Sequence, residues 1–288
     1  MARSVSWPPP GPDPEGSSDL SDVDFVAIRN VIYDACGVFC DNKVVLKNRL
    51  VRRMEALGIG DARRYYLFLK YDGKRAEELE HLLQEVLVHE TYFLREQNQL
   101  RAFADEILPG LAAPGRPIKI WCAGCSSGEE PYTIAMILEE QGVYDRAPVA
   151  LYATDISARI LARARQGLYT RNSFRGPDLG PYRKYFDVFD PGGDRFGVKE
   201  DVRRRVLFKR HNLLDEATYN PLLGLDVVLC RNVMIYFDRA AKKKVVRMFH
   251  DRLKAGGYLL LGHAESLTGM SEGFRLERLK NDLVYRKI

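Results

Sequence analysis

The chain has 288 residues, 46% of them apolar and 29% charged, the composition of a soluble globular protein with room for about two domains. No apolar run approaches the roughly 20 residues of a membrane span, and the first residues, MARSVSWPPPGPDPEGSSDLSD, lack the apolar core of a secretory signal. The net charge of +5 is uneven: residues 1–115 carry −4, residues 116–288 carry +9, and residues 159–210 alone carry +8. Such a basic excess either is solvated or meets an anionic partner: nucleic acid, lipid or an acidic protein.

Five cysteines without a secretion signal point to a reducing cytosol, and hence to a cytoplasmic protein. Cys122 and Cys125 are spaced C-x2-C. With no second pair at zinc spacing they predict no metal site.

Residues 1–18, rich in Pro, Gly and Ser, read as a disordered tail. Residues 19–108 show helical periodicity in four stretches and predict a small all-helical domain. The second stretch carries Lys43, Lys47, Arg49, Arg52 and Arg53, with no acid between Asn42 and Met54. The segment 109–117, PGLAAPGRP, reads as a linker and the domain boundary.

From residue 118 the pattern alternates. IKIWCAG, VALYATD, RVLFKRHNL, DVVLCRN and YLLLGHAE are strands, and EEPYTIAMILEEQG, SARILARARQG and RAAKKKVVRMFHDRLKAGG are helices, the last ending at Gly256-Gly257. FRLERL and LVYRKI read as a closing hairpin. The order predicts a parallel α/β sheet whose ligand lies beyond the carboxyl ends of the strands. Residues 180–210 interrupt it with short aromatic runs around Pro191-Gly192-Gly193-Asp194, as expected of a small antiparallel insertion.

Five motifs carry candidate chemistry. In WCAGCSSGEEP (121–131) a strand runs through Gly124 and Gly128 into a helix. It is neither G-x-G-x-x-G nor a P-loop. Glu129 and Glu130 at the helix start repel phosphate and favour a cation, so S-adenosylmethionine, with a sulfonium and an ammonium, suits the motif better than a nucleotide phosphate; plain helix caps are the alternative. Asp155, ending the next strand, suits two ribose hydroxyls or an N-cap, which Ser157 equally offers. Asn212 and Leu213 in RHNLLD suit an adenine edge, or the Asn serves a turn. CRNVMIYF (230–237) places Arg231, Asn232 and Tyr236 at a strand's carboxyl end, and no Asp/Asn-Pro-Pro-aromatic signature of amine methylation is present. In HETYFLRE (89–96), Thr91 and Arg95 are four apart and so are read onto one helix face, where Arg95 meets a carboxylate or pairs with Glu90 or Glu96.

ETYFLRE, WCAGCSSGEEPYTIAMIL, ATDIS with ARQGLY, NLL, CRNVMIYF and GHAESL, in this order from Val88 to Leu267, resemble the CheR-type chemoreceptor glutamate O-methyltransferases. The resemblance implies an all-helical domain followed by a Rossmann-like α/β S-adenosylmethionine domain (118–288) with a β-subdomain inserted in it. It implies methyl transfer to receptor glutamate γ-carboxylates, with no nucleic-acid partner and no membrane insertion. Carried over, the cofactor contacts are Thr91, Arg95, Glu129, Asp155, Asn212, Leu213, Cys230 and Arg231, with Glu129 preferred to Glu130. Arg95 and Tyr236 face the methyl-transfer centre. Lys47, Arg49, Arg52 and Arg53 resemble the receptor-facing helix, and 181–210 the docking subdomain. The family commonly has Asn two residues before the motif Thr. Here it is His89, a titratable group at a cofactor-contact position.

Rival readings are an S-adenosylmethionine enzyme acting on RNA or a small molecule, a non-catalytic scaffold, and a nicotinamide dehydrogenase. The last lacks the phosphate fingerprint.

Overall fold

A computed structural model describes residues 20–113, 115–188, 192, 194–215 and 222–288. The tail 1–18 and the tip of the expected turn at Pro191 and Gly193 lie outside the described residues. Two compact units are present: one of residues up to Ala35 plus Phe39–Leu87, the other of Cys36–Val38 plus Val88–Ile288.

The first unit is four helices: α1 (Asp22–Cys36), α2 (Lys43–Leu57), α3 (Ala62–Tyr71) and α4 (Arg75–Val86). Local chemistry sets their ends. Asn42 caps α2 by accepting from the Val45 amide, Asp61 caps α3 by accepting from Arg64, and Gly58 closes α2 in the left-handed region. Ile28, Ile32, Leu46, Leu50, Tyr65 and Leu82, all nearly inaccessible to solvent, form its core.

Inside that core sits a charge. Glu78 is buried, accepts the Tyr65 hydroxyl at 2.6 Å, and takes two hydrogen bonds from the Arg53 guanidinium, the shorter at 2.6 Å. Burial is the main force pushing the Tyr65 phenol up, and the Glu78 hydrogen bond adds to it. Arg49 donates to the carbonyls of Glu85 and Val86, terminal acceptors of α4. Two of the four cations expected to face a receptor are thus engaged in holding the unit together, and Arg52 is the well-exposed one, at 73%.

The second unit begins at Val88, upstream of the Pro/Gly segment. Residues 88–113 pack with the α/β domain because their apolar side chains join its core: Phe93, Leu100, Phe103, Ile107 and Leu111 are buried in one cluster with the sheet. They form α5 (Gln97–Ala102), a π-helical turn Phe103–Ile107 and α6 (Leu108–Leu111). The 109–117 segment is tied down as well, with Arg116 on Asp226 at 2.8 Å.

The sheet has seven strands: β1 (Ile118–Ala123), β2 (Val149–Asp155), β6 (Val206–Arg210), β7 (Leu225–Cys230), β8 (Leu253–Leu261), β9 (Phe274–Arg278) and β10 (Leu283–Lys287). Their spatial order is β6-β2-β1-β7-β8-β10-β9. The first five run parallel, and the β9–β10 hairpin is antiparallel against β8. From β1 the chain moves outward one way to β2 and β6, then returns to place β7 on the other side of β1. This is a topological switch point at the carboxyl ends, where an open α/β sheet leaves a crevice. The crossover helices are α7 (Glu129–Glu140), α8 (Ala158–Gln166) and α10 (Arg239–Arg252); α9 (Glu200–Arg203) is one short turn.

Two local expectations are corrected. Helix α10 ends at Arg252, not at the glycine pair, because Leu253 turns extended and starts β8. The pair lies in a bulge, where two steps on β7 (Leu225 to Val227) face five on β8 (Leu253 to Tyr258), and the bulge brings Lys254 onto the buried Asp226 carboxylate at 2.9 Å. The insertion also starts earlier. Its sheet, in order β3-β5-β4, takes β3 (Leu168–Thr170) from before residue 180, together with β4 (Phe186–Val188) and β5 (Arg195–Val198); Val206–Arg210 belongs to the main sheet. Among the described residues no helix is long and apolar enough to cross a membrane.

Candidate active site

The site is built on the turn from β1 into α7. Gly128 is the N-cap of α7 with φ of +96°, and a Cβ there would meet the Tyr169 hydroxyl and Ala164 at about 3 Å, so only glycine fits the turn. Amides of Gly124 and Cys125 donate to the Thr154 carbonyl at 2.8 and 2.9 Å, which ties this turn to the end of β2.

Asp155, at that end, is 7% exposed. Its carboxylate accepts from the amides of Ser126 (2.9 Å) and Ser157 (3.0 Å). Ser157, not Asp155, caps α8. Burial pushes the Asp155 carboxyl up, against the pull of those amides and of His89.

The adjacent acids Glu129 and Glu130 have opposite surroundings. Glu130 accepts from the Arg231 guanidinium at 3.1 Å. The same guanidinium bonds Glu96 at 3.2 Å and the Arg95 carbonyl. Glu129 is 2% exposed and accepts from two hydroxyls, Ser127 at 2.7 Å and Ser173 at 2.9 Å, and from its own backbone amide. Burial pushes both carboxyls up; Arg231 opposes this for Glu130, and the two serines, the backbone amide and, last, the more distant Arg175 oppose it for Glu129. Among the described residues neither Glu129 nor Asp155 makes an ion pair with a Lys or Arg. Two buried carboxylates without counter-cations are costly unless something else meets their charge.

The loop 88–96 that runs over this turn is not helical. Leu94 and Glu96 take positive φ, 59° and 55°, so Thr91 and Arg95 do not share a helix face. The Thr91 carbonyl takes a hydrogen bond from Arg175, whose guanidinium lies 4.5 Å from the centre of the Tyr92 ring. Arg95 donates to the Glu90 carbonyl at 2.8 Å and lies 5.6 Å from the same ring. The His89 carbonyl accepts from the Ser126 hydroxyl at 3.4 Å, and His89 Nε2 is buried without a hydrogen-bond partner. Burial holds the His89 imidazole below its usual range, and Asp155 works against it.

From β7, Cys230 is fully buried and Arg231 follows it into the acid cluster just described. Burial raises the thiols of Cys122, Cys125 and Cys230, which keeps them protonated and inert. Asn212 turns the chain by accepting from Leu214 at 3.1 Å, beside the buried Leu213, and the neighbouring His211 amide bonds the Asp155 carbonyl at 2.9 Å. Tyr236 is half-buried in a short 3-10 turn, Met234–Tyr236.

His89, Asp155, Glu129, Arg231 and the backbone of Arg95 thus gather around one turn. Asn212 and Leu213 join through His211, and Thr91 through Arg175. Lys47, Arg49, Arg52 and Arg53 belong to the helical unit and not to this constellation.

One residue essential to this geometry is not singled out chemically by the sequence motifs. Glu265, in GHAESL, accepts backbone amides of Asn232, Val233, Ile235 and Gly262 at 2.7–3.2 Å and so clamps the whole CRNVMIYF loop. Gly262 completes the clamp, since a Cβ there would collide with the Asn232 amide at 2.6–2.8 Å. Glu96 adds a second tie, to Asn232 Nδ2 at 3.2 Å.

The profile of the CheR methyltransferase all-alpha domain matches residues 23–87, and that of the CheR methyltransferase SAM-binding domain matches residues 89–282. The chain belongs to the CheR methyltransferase family. Its division at Leu87 and Val88 coincides with the interval between the two profiles. Chemotaxis protein methyltransferase 2 of Vibrio cholerae is 33% identical, over 93% of this chain and 94% of its own. A chemotaxis protein methyltransferase of Vibrio parahaemolyticus is 36% identical over 93% and 98%, and chemotaxis protein methyltransferase 1 of Pseudomonas aeruginosa 32% over 92% and 98%. This CheR-family chain is an S-adenosylmethionine-dependent methyltransferase. The residues present fit that cofactor: Glu129 and Asp155 are buried carboxylates that make no ion pair with a Lys or Arg among the described residues, a donor set suited to a ligand with a sulfonium, an ammonium and ribose hydroxyls.

Proposed function

We propose that the protein methylates glutamate γ-carboxylates of a methyl-accepting chemoreceptor in the cytoplasm, giving glutamyl methyl esters and S-adenosylhomocysteine, for adaptation in chemotaxis. The observation that carries the reading is the contrast at the start of α7: Glu130 is ion-paired with Arg231, while among the described residues Glu129 and, across the turn, Asp155 make no ion pair with a Lys or Arg, only the more distant Arg175 and His89 acting on them. S-adenosylmethionine, when bound, supplies a methyl group on a sulfonium.

In this reading Glu129 meets the cationic end of the cofactor, and Asp155 accepts from the ribose hydroxyls. Asn212 and Leu213 border the adenine, and Thr91, Arg95, Cys230 and Arg231 complete the cradle. Arg231 acts through the carboxylates it joins. It fixes Glu130 and Glu96 and so sets the position of α7 against the 88–96 loop.

The acceptor glutamate, with a reference pKa of about 4.3, is ionised at neutral pH and requires no general base. That agrees with a site whose acids are spent on binding. Arg95 and Tyr236 orient the acceptor carboxylate. Placement of this kind supplies up to about 7–11 kcal/mol of the barrier reduction. Arg95 is already shared with the Glu90 carbonyl and the Tyr92 face, which keeps it from gripping the acceptor so tightly that the ground state gains as much as the transition state. On the helical unit, Arg52 and Lys47 contact the receptor, with Arg49 and Arg53 holding α2 in place beneath them.

Incubation with methyl-labelled S-adenosylmethionine and a receptor signalling fragment tests the reading. Base-labile label released as methanol is expected. Base-stable label on protein, or label on RNA with none on receptor, contradicts it.

A further inference from the structure

Helix α10 carries six Lys and Arg side chains, Arg239, Lys242, Lys243, Lys244, Arg247 and Arg252, and no acid between its N-cap Asp238 and Asp251. Ala241, Val245, Val246, Met248 and Phe249 bury one face. On the other, Arg239, Lys243 and Arg247 stand four residues apart in one exposed line, Arg247 at 86%. Among the described residues Arg239, Lys242 and Lys243 enter no ion pair, and Arg247 reaches Asp251 at 4.0 Å with both side chains well exposed. The basic stretch 159–210 is different. Arg171, Arg175, Lys184, Lys199, Arg204 and Arg205 each meet a carboxylate.

The placement of the α10 charges works against the helix itself. Four of the six lie in its first six residues, at the positive end of the helix dipole, and its first turn holds no acid beyond the N-cap Asp238. They also repel one another. Among the described residues the N-cap Asp238 and the exposed Asp251 offset part of this, and an external anion would offset more.

The location says which anion. Helix α10 follows the loop 231–237, and its N-cap stands two residues beyond Tyr236, so the cationic line starts at the carboxyl edge of the sheet and runs away from it for about 12 Å. Ile235, 42% exposed, adds an apolar contact at its head. We propose that this line is a docking surface for an acidic helical segment of the protein substrate, next to the glutamate being methylated. Carboxylates repeating every three or four residues on one helix match the spacing of Arg239, Lys243 and Arg247. The proposal rests on the reading of the chain as a receptor-glutamate methyltransferase.

The test is the full-length variant Lys242→Glu/Lys243→Glu/Arg247→Glu, assayed on a receptor fragment at low and at physiological salt. The KM for receptor is expected to rise about tenfold or more at low salt, and the salt dependence of kcat/KM to flatten. The kcat and the cofactor affinity measured by calorimetry should not change. The melting temperature should hold or rise, because acids now stand at the helix N-terminus; Lys243→Glu alone, with a smaller KM effect, repeats the measurement with one charge changed. An unchanged KM at low salt, in a preparation whose wild type methylates the receptor, overturns the proposal. So does loss of binding to phosphatidylglycerol vesicles with KM unchanged, which assigns the face to a membrane. A wild type that leaves the receptor unmethylated contradicts the functional reading instead.

Discussion

The two units use charge in opposite ways. In the helical unit the cations of α2 are largely absorbed by the fold: Arg53 neutralises the buried Glu78, and Arg49 closes the end of α4. In the α/β unit, among the described residues, Glu129 and Asp155 are buried carboxylates that make no ion pair with a Lys or Arg, and the exposed line on α10 meets only Asp251, at 4.0 Å from Arg247. A run of like charges in the sequence therefore does not identify a docking face. What matters is whether the chain supplies its own counter-charge, since a compensated charge stabilises the fold and an uncompensated one is available to a ligand.

The sharpest way to break this comparison is Arg53→Ala. It strands Glu78 in the core of the helical unit and should cost about 3–5 kcal/mol of that unit's stability. Denaturant unfolding measures the loss, and a change under 1 kcal/mol, on the order of a surface pair, would show that Arg53 is not structural. Next in size is Asp155→Asn, expected to weaken S-adenosylmethionine binding about 10- to 100-fold, the worth of a charged hydrogen bond. Calorimetry that finds equal affinity removes Asp155 from the cradle.

The pH dependence follows from the raised carboxyls. A cationic ligand binds the ionised forms of Glu129 and Asp155, whose pKa values burial holds above the usual carboxylate range. Binding therefore lowers both pKa values and releases protons. Affinity rises with pH through the raised values and levels off above them. In the free protein the sign is reversed: the stability these groups contribute is fully present below ordinary carboxyl values and is lost as pH rises through the raised ones. Calorimetry in two buffers of different ionisation enthalpy reads the protons; uptake on binding would contradict the account. The smallest effect belongs to Arg52→Ala, which should change stability by less than about 1 kcal/mol because its pair with Glu85 is largely solvent-exposed.

Much of this was legible from residue order. The strands, the switch-point turn at Gly128, the closing hairpin and the membership of Glu129, Asp155 and Arg231 in one site follow from periodicity, turn chemistry and motif resemblance. What was not legible depends on long-range partners. Spacing alone put Thr91 and Arg95 on a helix, but positive φ at Leu94 and Glu96 breaks it. Gly256-Gly257 has the form of a helix stop and serves a bulge that carries Lys254 to Asp226. Glu265 clamps a loop some 30 residues before it, and nothing near it in sequence reveals that. Arg53 and Arg247 look alike in composition, but Arg53 meets the buried Glu78 at 2.6 Å and Arg247 only the exposed Asp251 at 4.0 Å.

The central claim is that the unpaired acid binds the cofactor and the paired one holds the fold. Glu129→Gln and Glu130→Gln, compared for cofactor affinity by calorimetry with melting temperature as the companion reading, test it most directly. The account predicts that Glu129→Gln loses affinity with the melting temperature of the cofactor-free protein unchanged or raised, since a buried charge is removed and both serines keep a partner. Glu130→Gln should lower the melting temperature, because Arg231 loses a counter-charge, with the smaller effect on affinity. Equal losses of affinity in the two variants, or wild-type affinity in Glu129→Gln, would contradict it.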